Sequence, residues 1–538
     1  MTRTPDVSDT GALPTVGNSV TRSLVTDPRV ATSQPLPADR ALARRPRVWR
    51  RYRPELTVAG IAMIIFSWGI ATVAPWRDEL VTLEVADRPT SDILDLVGTV
   101  DLVHATYYLL VHGVFGASVT LTGVRMISVL AAVATAVLLV RIGRELDAPH
   151  VGLAAGLLFA VSPLASRYAQ EARPYALVTC AVTASVLALL QACRQPWRRR
   201  RWAVYALTVA ATALLNVLAL TVLLVHALQV LVATRGWIRR TWAITTGATL
   251  LILAPFVLGA VTQRGQVSWL TVPPLSELRR FFLTEYQPWQ LVVLVLAAAV
   301  FLVPLGTHRH ALGLGVAWGV LPPAVLWAVS QVHPLFAIRY VVIAVPGAAL
   351  ALAAIMPALV TLAEDFFARR PHRPTPRPGM IRMLALVPVA AIALYGLPAQ
   401  LDYRSAVNGH AENVTGVARY LATRALPGDA VMYVPGELRI IALANPDAFR
   451  LTDDVALAQS PERSTTIYGK DVSSEEMQDV LAGRRRVWVI TGSRGLNEQR
   501  WPADVDKVDV LAGYHLQEIS YRLPFQIRLY TATSPERH

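Results

Sequence analysis

The chain has 538 residues, 54% of them hydrophobic and only 16% charged, against about 25% charged in an ordinary soluble domain, which excludes a single soluble enzyme. Its 51 Lys and Arg exceed its 37 Asp and Glu, for a formal charge of +14, and only Lys470 and Lys507 are lysines. The arginines cluster in short segments between apolar runs, so the excess reads as membrane topology and no nucleic-acid partner is expected.

Residues 1–39 are polar, rich in Thr, Pro, Ser and Asp, and without apolar period, the composition of a disordered tail. No short apolar core with a small-residue cleavage site marks a removable signal peptide. Residues 40–53 (RALARRPRVWRRYR) then place seven arginines directly before the first apolar run. By the positive-inside rule, residues 1–53 form a basic cytoplasmic N-terminal tail.

A helix needs about 20 apolar residues to cross the hydrocarbon core. Runs near that length fall at 56–75, 122–143, 151–169, 175–193, 202–215, 217–234, 242–261, 290–306, 311–329, 340–360 and 383–400. The expected architecture is therefore a polytopic α-helical membrane protein of about eleven spans over 54–401, multi-pass in the plasma membrane. Alternate loops carry Arg141 and Arg144, RQPWRRRR (194–201), RGWIRR (235–240), HRH (308–310) and RRPHRPTPR (369–377), which belong on the cytoplasmic side. The other loops, 76–121, 170–174, 262–289 and 330–339, mix acids, histidines, aromatics and single arginines. That side is where chemistry is expected. Cys180 and Cys193 support neither a disulfide framework nor a Cys-based zinc site.

Residues 402–538 change character. DAVMYVP (429–435) and RRVWVIT (485–491) read as strands, and EEMQDVLAG (475–483) as a helix with a Gly stop. A small extracytoplasmic α/β domain is expected there.

The first apolar run ends in APWRDELVTLE, with Asp78 and Glu79 at its external boundary. The long loop that follows contains DLVHATYYLLVHG (101–113). At about 100° per residue, Asp101, His104, Tyr108 and His112 share an arc of about 80° on a helix, the pattern of an amphipathic helix at the membrane surface. Alternatively, Asp101 and His104 facing the acidic pair position a substrate or hold a divalent ion.

W-x-D-E closing the first span, then D-x-x-H-x-x-Y-Y, then FGASVTLTGVR (115–125), resembles the GT-C class of polyprenyl-phosphate-sugar glycosyltransferases. The branch most similar is the protein O-mannosyltransferase and lipid A aminoarabinose transferase superfamily, including mannosyltransferases of actinobacteria. SPLASRYAQEARPYAL (162–177) and HPLFAIRYVVIAVPG (333–347) are similar to further family segments, so the resemblance runs over roughly residues 50–350. Ala105 and Thr106 stand where family members often carry two prolines after the loop histidine.

The resemblance implies a sugar linked through one phosphate to a polyprenol, presented at the external face to an extracytoplasmic acceptor in the bilayer's vicinity. It implies Asp78, beside Glu79, as the base that takes the acceptor proton, with inversion at the anomeric carbon. Arg173 and Arg339 suit the leaving phosphate, since guanidinium is always charged and forks onto phosphate oxygens. Glu171, Tyr175 and Tyr340 flank them as donor-binding candidates. Asp101, His104, Tyr108 and His333 are candidates for acceptor or loop positioning. Some GT-C enzymes use a metal, and Asp101, His104 and Glu79 are the ligands on offer for Mg²⁺, Mn²⁺ or Ca²⁺. No P-loop or Rossmann glycine fingerprint provides for a nucleotide. Mannose is the expected sugar; the competing readings are an arabinofuranosyl or other pentosyl transferase of cell-wall polysaccharide, and a flippase of lipid-linked sugars.

Overall fold

A computed structural model describes residues 48–263, 265, 270–282, 308–368, 387–405, 410–497 and 502–532. The expected tail through residue 47 and the expected span at 290–306 lie outside these residues. From Tyr52 onward the chain forms one compact unit.

Helix α1 (Val48–Ser67) is followed by three short helices, α2 (Arg77–Asp87), α3 (Thr90–Thr99) and α4 (Ala105–Phe115). The long apolar helices α5 (Leu121–Glu145), α8 (Tyr175–Arg194) and α11 (Trp237–Thr262) alternate with shorter ones. These are α6 (Pro149–Val161), α7 (Pro163–Ala169), α9 (Arg199–Leu215) and α10 (Val222–Ala233). Later helices run Arg309–Val329, Val345–Ala368 and Val387–Asp402. Each expected span that falls on described residues thus lies on helix for most of its length. Five helices among the described residues are long and apolar enough to cross a membrane, or six if the bent pair α6–α7 counts as one. On α11, Leu251 and Ile252 are 76% and 79% exposed, the mark of a helix whose outer side meets lipid rather than protein.

Small residues let these helices approach. A Cβ on Gly143 of α5 would lie 2.3 Å from Cα of Gly152 on α6, so the pair is in backbone contact, the packing that substitutes for the hydrophobic effect in lipid. The 65° bend between α6 and α7 falls at Pro163, which has no N–H to continue the ladder. Ser162 caps the new helix, its hydroxyl accepting from Ala165 N at 3.4 Å. The bend delivers Arg167 and the 170–174 loop to the end of the bundle where α2–α4 lie.

The C-terminal part is a five-stranded sheet in the order β2-β1-β5-β7-β6. β1 (Asp429–Val434) runs parallel to β2 (Thr452–Asp454) and β5 (Arg486–Thr491), while β7 (Phe525–Ala532) is antiparallel to β5 and to β6 (Tyr514–Arg522). β3 (Leu457–Gln459) and β4 (Lys470–Asp471) form a separate ribbon. The strands expected at 429–435 and 485–491 are β1 and β5, and the helix expected at 475–483 is Ser474–Leu481, with Gly483 at φ +90° beyond its end. This sheet does not stand apart. Leu80, Val85, Ile93, Leu96 and Tyr108 of the first loop bury into the same core as Val417, Leu421, Tyr433, Ile441 and Trp488. Loop and sheet are one hydrophobic body.

Candidate active site

Asp78 is the second residue of α2, whose first turn also contains Glu79. Adjacent helix residues point about 100° apart, so the two acids cannot share an environment. Glu79 faces inward and is fully buried. Its Oε1 accepts from Arg125 Nε at 2.8 Å and from Ala172 N at 2.6 Å, and its Oε2 accepts from Arg125 Nη2 at 2.6 Å. Arg125, on α5, spends its remaining donors on the carbonyls of Ile70, Val73 and Ala74. Glu79 therefore ties α2, α5 and the 170–174 loop together, and it is not a second acid facing the cavity.

Asp78 faces outward, with its side chain 35% exposed. Its Oδ2 lies 3.2 Å from Arg339 Nη1 and 4.0 Å from Arg173 Nη2. Burial raises the Asp78 carboxyl's affinity for a proton, but the charges of Arg173, Arg339 and Arg77 outweigh it and hold the group below the usual carboxylate range. The two arginines are far apart in the sequence. Arg173 sits in the 170–174 loop, which Ser128 Oγ pins by donating to Glu171 O at 2.6 Å and Gln170 Nε2 pins by donating to Phe66 O and Trp68 O at 2.8 and 2.6 Å. Arg339 is the second residue of the short helix Ile338–Val341, with its guanidinium 5.6 Å from the ring centres of both Trp76 and Tyr340. Tyr340 is 6.4 Å from Tyr175, ring to ring.

Arg173 is oriented from its far side. Its Nη1 donates to Asp78 O and Thr82 Oγ1, each at 3.3 Å, and its Nη2 donates to His104 Nε2 at 2.9 Å. A guanidinium only donates, so His104 Nε2 accepts and the imidazole proton sits on Nδ1. Nδ1 lies 2.5 Å from Asp101 Oδ1, and Tyr108 Oη donates to Asp101 Oδ2 at 2.5 Å. Asp101 precedes the helix rather than starting it, at φ +63°, a left-handed conformation that Asp tolerates better than most. The polar side of this helix thus faces Arg173 instead of solvent. His112 turns elsewhere, to Thr90 and to Ala86 O.

Two expectations are corrected. His333 is exposed and joins none of these contacts. Asp101, His104 and Glu79 do not converge as a ligand set: the first two bond each other and Glu79 is committed to Arg125. Among the described residues no group of three His, Cys, Asp or Glu is placed to hold a metal.

Sequence reasoning missed Arg125's partner and the whole contribution of residues 410–412. Glu171 Oε1 is 2.6 Å from His410 Nε2 and 3.6 Å from Arg167 Nε. The His410 ring stacks on Trp76 with centroids 3.8 Å apart and planes 8° apart. Among the described residues, Glu171 Oε2, Arg173 Nε and Trp76 Nε1 are buried without a hydrogen-bond partner.

These features define a polytopic helical membrane protein with an acid held between arginines at one end of its helices, under a C-terminal sheet. A family profile described as dolichyl-phosphate-mannose-protein mannosyltransferase matches residues 103–258. The crystal structure of ArnT from Cupriavidus metallidurans in the apo state is similar, with a TM-score of 0.53 and 12% identity over 88% of this chain and 97% of that chain. The same enzyme bound to undecaprenyl phosphate gives 0.52 and 13% over the same shares. AglB, an oligosaccharyltransferase from Archaeoglobus fulgidus in complex with an inhibitory peptide and a dolichol-phosphate, aligns at 0.47 and 12%, over 91% and 76%. No curated protein matches by sequence. Residues 103–258 thus resemble the mannosyltransferase family profile, and the fold is that of ArnT.

Proposed function

We propose that the chain transfers a mannosyl unit from a polyprenyl-phosphate donor to a hydroxyl of an extracytoplasmic acceptor, by a single inverting displacement. The observation that carries this reading is the placement of the Asp78 carboxylate between Arg339 and Arg173. The profile's mannosyltransferase description and the undecaprenyl phosphate bound by ArnT support the sugar and the lipid carrier.

In this reading the donor's phosphodiester, a monoanion, takes the two guanidiniums. Arg173 Nε, buried and without a partner among the described residues, is one donor it would meet. Asp78 is a weak base while both arginines face it. Anion binding neutralises those charges, so the carboxylate gains proton affinity when the sugar is in place. Asp78 then accepts the acceptor's hydroxyl proton as its oxygen attacks the anomeric carbon. The glycosidic C–O bond breaks and the electron pair leaves on the polyprenyl phosphate, whose new charge the arginines hold. Asp101, His104 and Tyr108 act through Arg173, and the N-terminal tail lies in the cytoplasm with the sheet outside.

The test is transfer by purified protein in proteoliposomes supplied with polyprenyl-phosphate mannose. Covalent mannosylation of an acceptor supports the reading. Transfer of arabinofuranose alone would reassign the sugar, and flipping of the donor without a covalent product would refute transfer.

A further inference from the structure

In the helix that carries Asp78, Glu79 Oε2 reaches back only to the Trp76 N–H, at 3.4 Å, which leaves the Arg77 N–H to find an acceptor elsewhere. The residue before it is Trp76, a poor capping residue, and its side chain makes no cap hydrogen bond. The exposed end of a helix leaves N–H donors and a partial positive charge to be satisfied. Here the acceptor arrives from 335 residues away: Arg77 N donates to Glu412 Oε2 at 3.0 Å. The same carboxylate takes the Arg77 side chain, from Nε at 3.1 and 3.2 Å and from Nη2 at 2.9 Å. Glu412 is buried, so these are desolvated, charge-assisted bonds.

Two residues earlier, His410 covers Trp76. Its orientation follows from its partners. Arg167 Nη2 lies 3.1 Å from His410 Nδ1 and can only donate, so Nδ1 accepts and Nε2–H donates to Glu171 Oε1 at 2.6 Å. The ring is thereby locked parallel to the indole at 3.8 Å, and Trp76 in turn lies 5.6 Å from the guanidinium that pairs with Asp78. Between the two anchors, Ala411 is held at φ +56°, a conformation unfavourable for a non-glycine residue that persists where both flanks over-determine it. Asn413 N continues the attachment by donating to Leu523 O, at 2.7 Å, in the turn between β6 and β7.

We propose that His410–Glu412 is a positioning strap through which the C-terminal sheet sets the geometry of Asp78: Glu412 caps α2, and His410 fixes the indole beside Arg339. Neither residue touches the reacting atoms. The proposal rests on the transferase reading for its kinetic consequence and on the contacts alone for its structural one.

Glu412→Gln and His410→Ala in the full chain separate the two. Hydrogen exchange at the amides of Arg77–Leu80 should speed up in both variants, while exchange in β1 and β5 stays at the wild-type rate. Transfer should lose kcat by about ten- to a hundredfold in both, the range expected for a misplaced catalytic group, with the donor KM unchanged in Glu412→Gln and raised in His410→Ala, which acts beside Arg339. His410→Phe, which keeps the stack and loses the hydrogen bonds, should recover most of the His410→Ala loss. Wild-type exchange at Arg77–Leu80 overturns the strap, whatever the activity, as does faster exchange spread equally through the sheet. If the wild type transfers no sugar, the transferase reading fails and the exchange data still decide the strap.

Discussion

Glu79 and Arg125 form a two-pronged ion pair with both side chains 1% exposed, one residue along from an acid that is 35% exposed and paired at 3.2 Å. Burying a pair so deeply is costly unless every oxygen and N–H is satisfied, and here the Glu79 oxygens and the Arg125 donors all find partners. Removing one member leaves the other charged and dry, at a cost of about 3–5 kcal/mol. Glu79→Gln and Arg125→Met should each lower the thermal midpoint of the detergent-solubilised protein markedly. The double variant should lose less than the sum of the two, because the stranded charge is gone. Strict additivity in that cycle would show that the pair does not act as a unit.

Asp78→Asn should behave in the opposite way. The side chain is a third open to solvent and its volume barely changes, so the midpoint and the monodispersity of the protein should stay near wild type. Transfer should fall to background, because the amide cannot accept the acceptor's proton. Near-normal turnover measured by product formation would remove Asp78 from the role of base.

Arg339→Ala should raise the donor KM and lower kcat together, since in the proposed mechanism the guanidinium meets the phosphate before and after the bond breaks. Arg339→Lys should restore only part of this, because an ammonium cannot fork onto two phosphate oxygens. Equal kinetics for Arg339→Ala and wild type would place the phosphate elsewhere.

The pH profile should carry a signature of the anion. In the free protein the Asp78 carboxyl is held below the usual range by Arg173, Arg339 and Arg77 against the effect of burial. It is therefore ionised through neutral pH, and kcat/KM should lose activity only in strongly acidic solution. With the donor's phosphate on the arginines their hold weakens and the folded value rises, so the acid limb of kcat should lie at higher pH than that of kcat/KM. Coincident limbs would mean that the donor does not discharge the arginines.

The helices were legible because lipid demands long apolar runs and because arginines mark one set of loops. The site was legible in part. Asp78, Arg173 and Arg339 each stand at a helix end in a motif, and they do meet. Placing Glu79 in the cavity as well overlooked the turn of the helix, which sends consecutive side chains in different directions. His333 lies in the segment that leads to Arg339, yet its side chain stays at the surface. What no periodicity could reveal are contacts such as Arg77 with Glu412, or Glu171 with His410, 239 positions apart. Those depend on how the sheet settles on the loop, and the residues around 410 carry no local pattern to announce it.

That settling has a consequence for biogenesis. Leu80, Val85 and Ile93 emerge from the ribosome long before Leu421, Tyr433 and Trp488, with which they share a core. Until those late residues have been made, the early segment lacks the core residues it buries against and Arg77 lacks Glu412. Nascent chains stalled before residue 410 would display an unfinished, sticky loop, vulnerable to proteases and incapable of turnover. Competence arrives with the last quarter of the polypeptide.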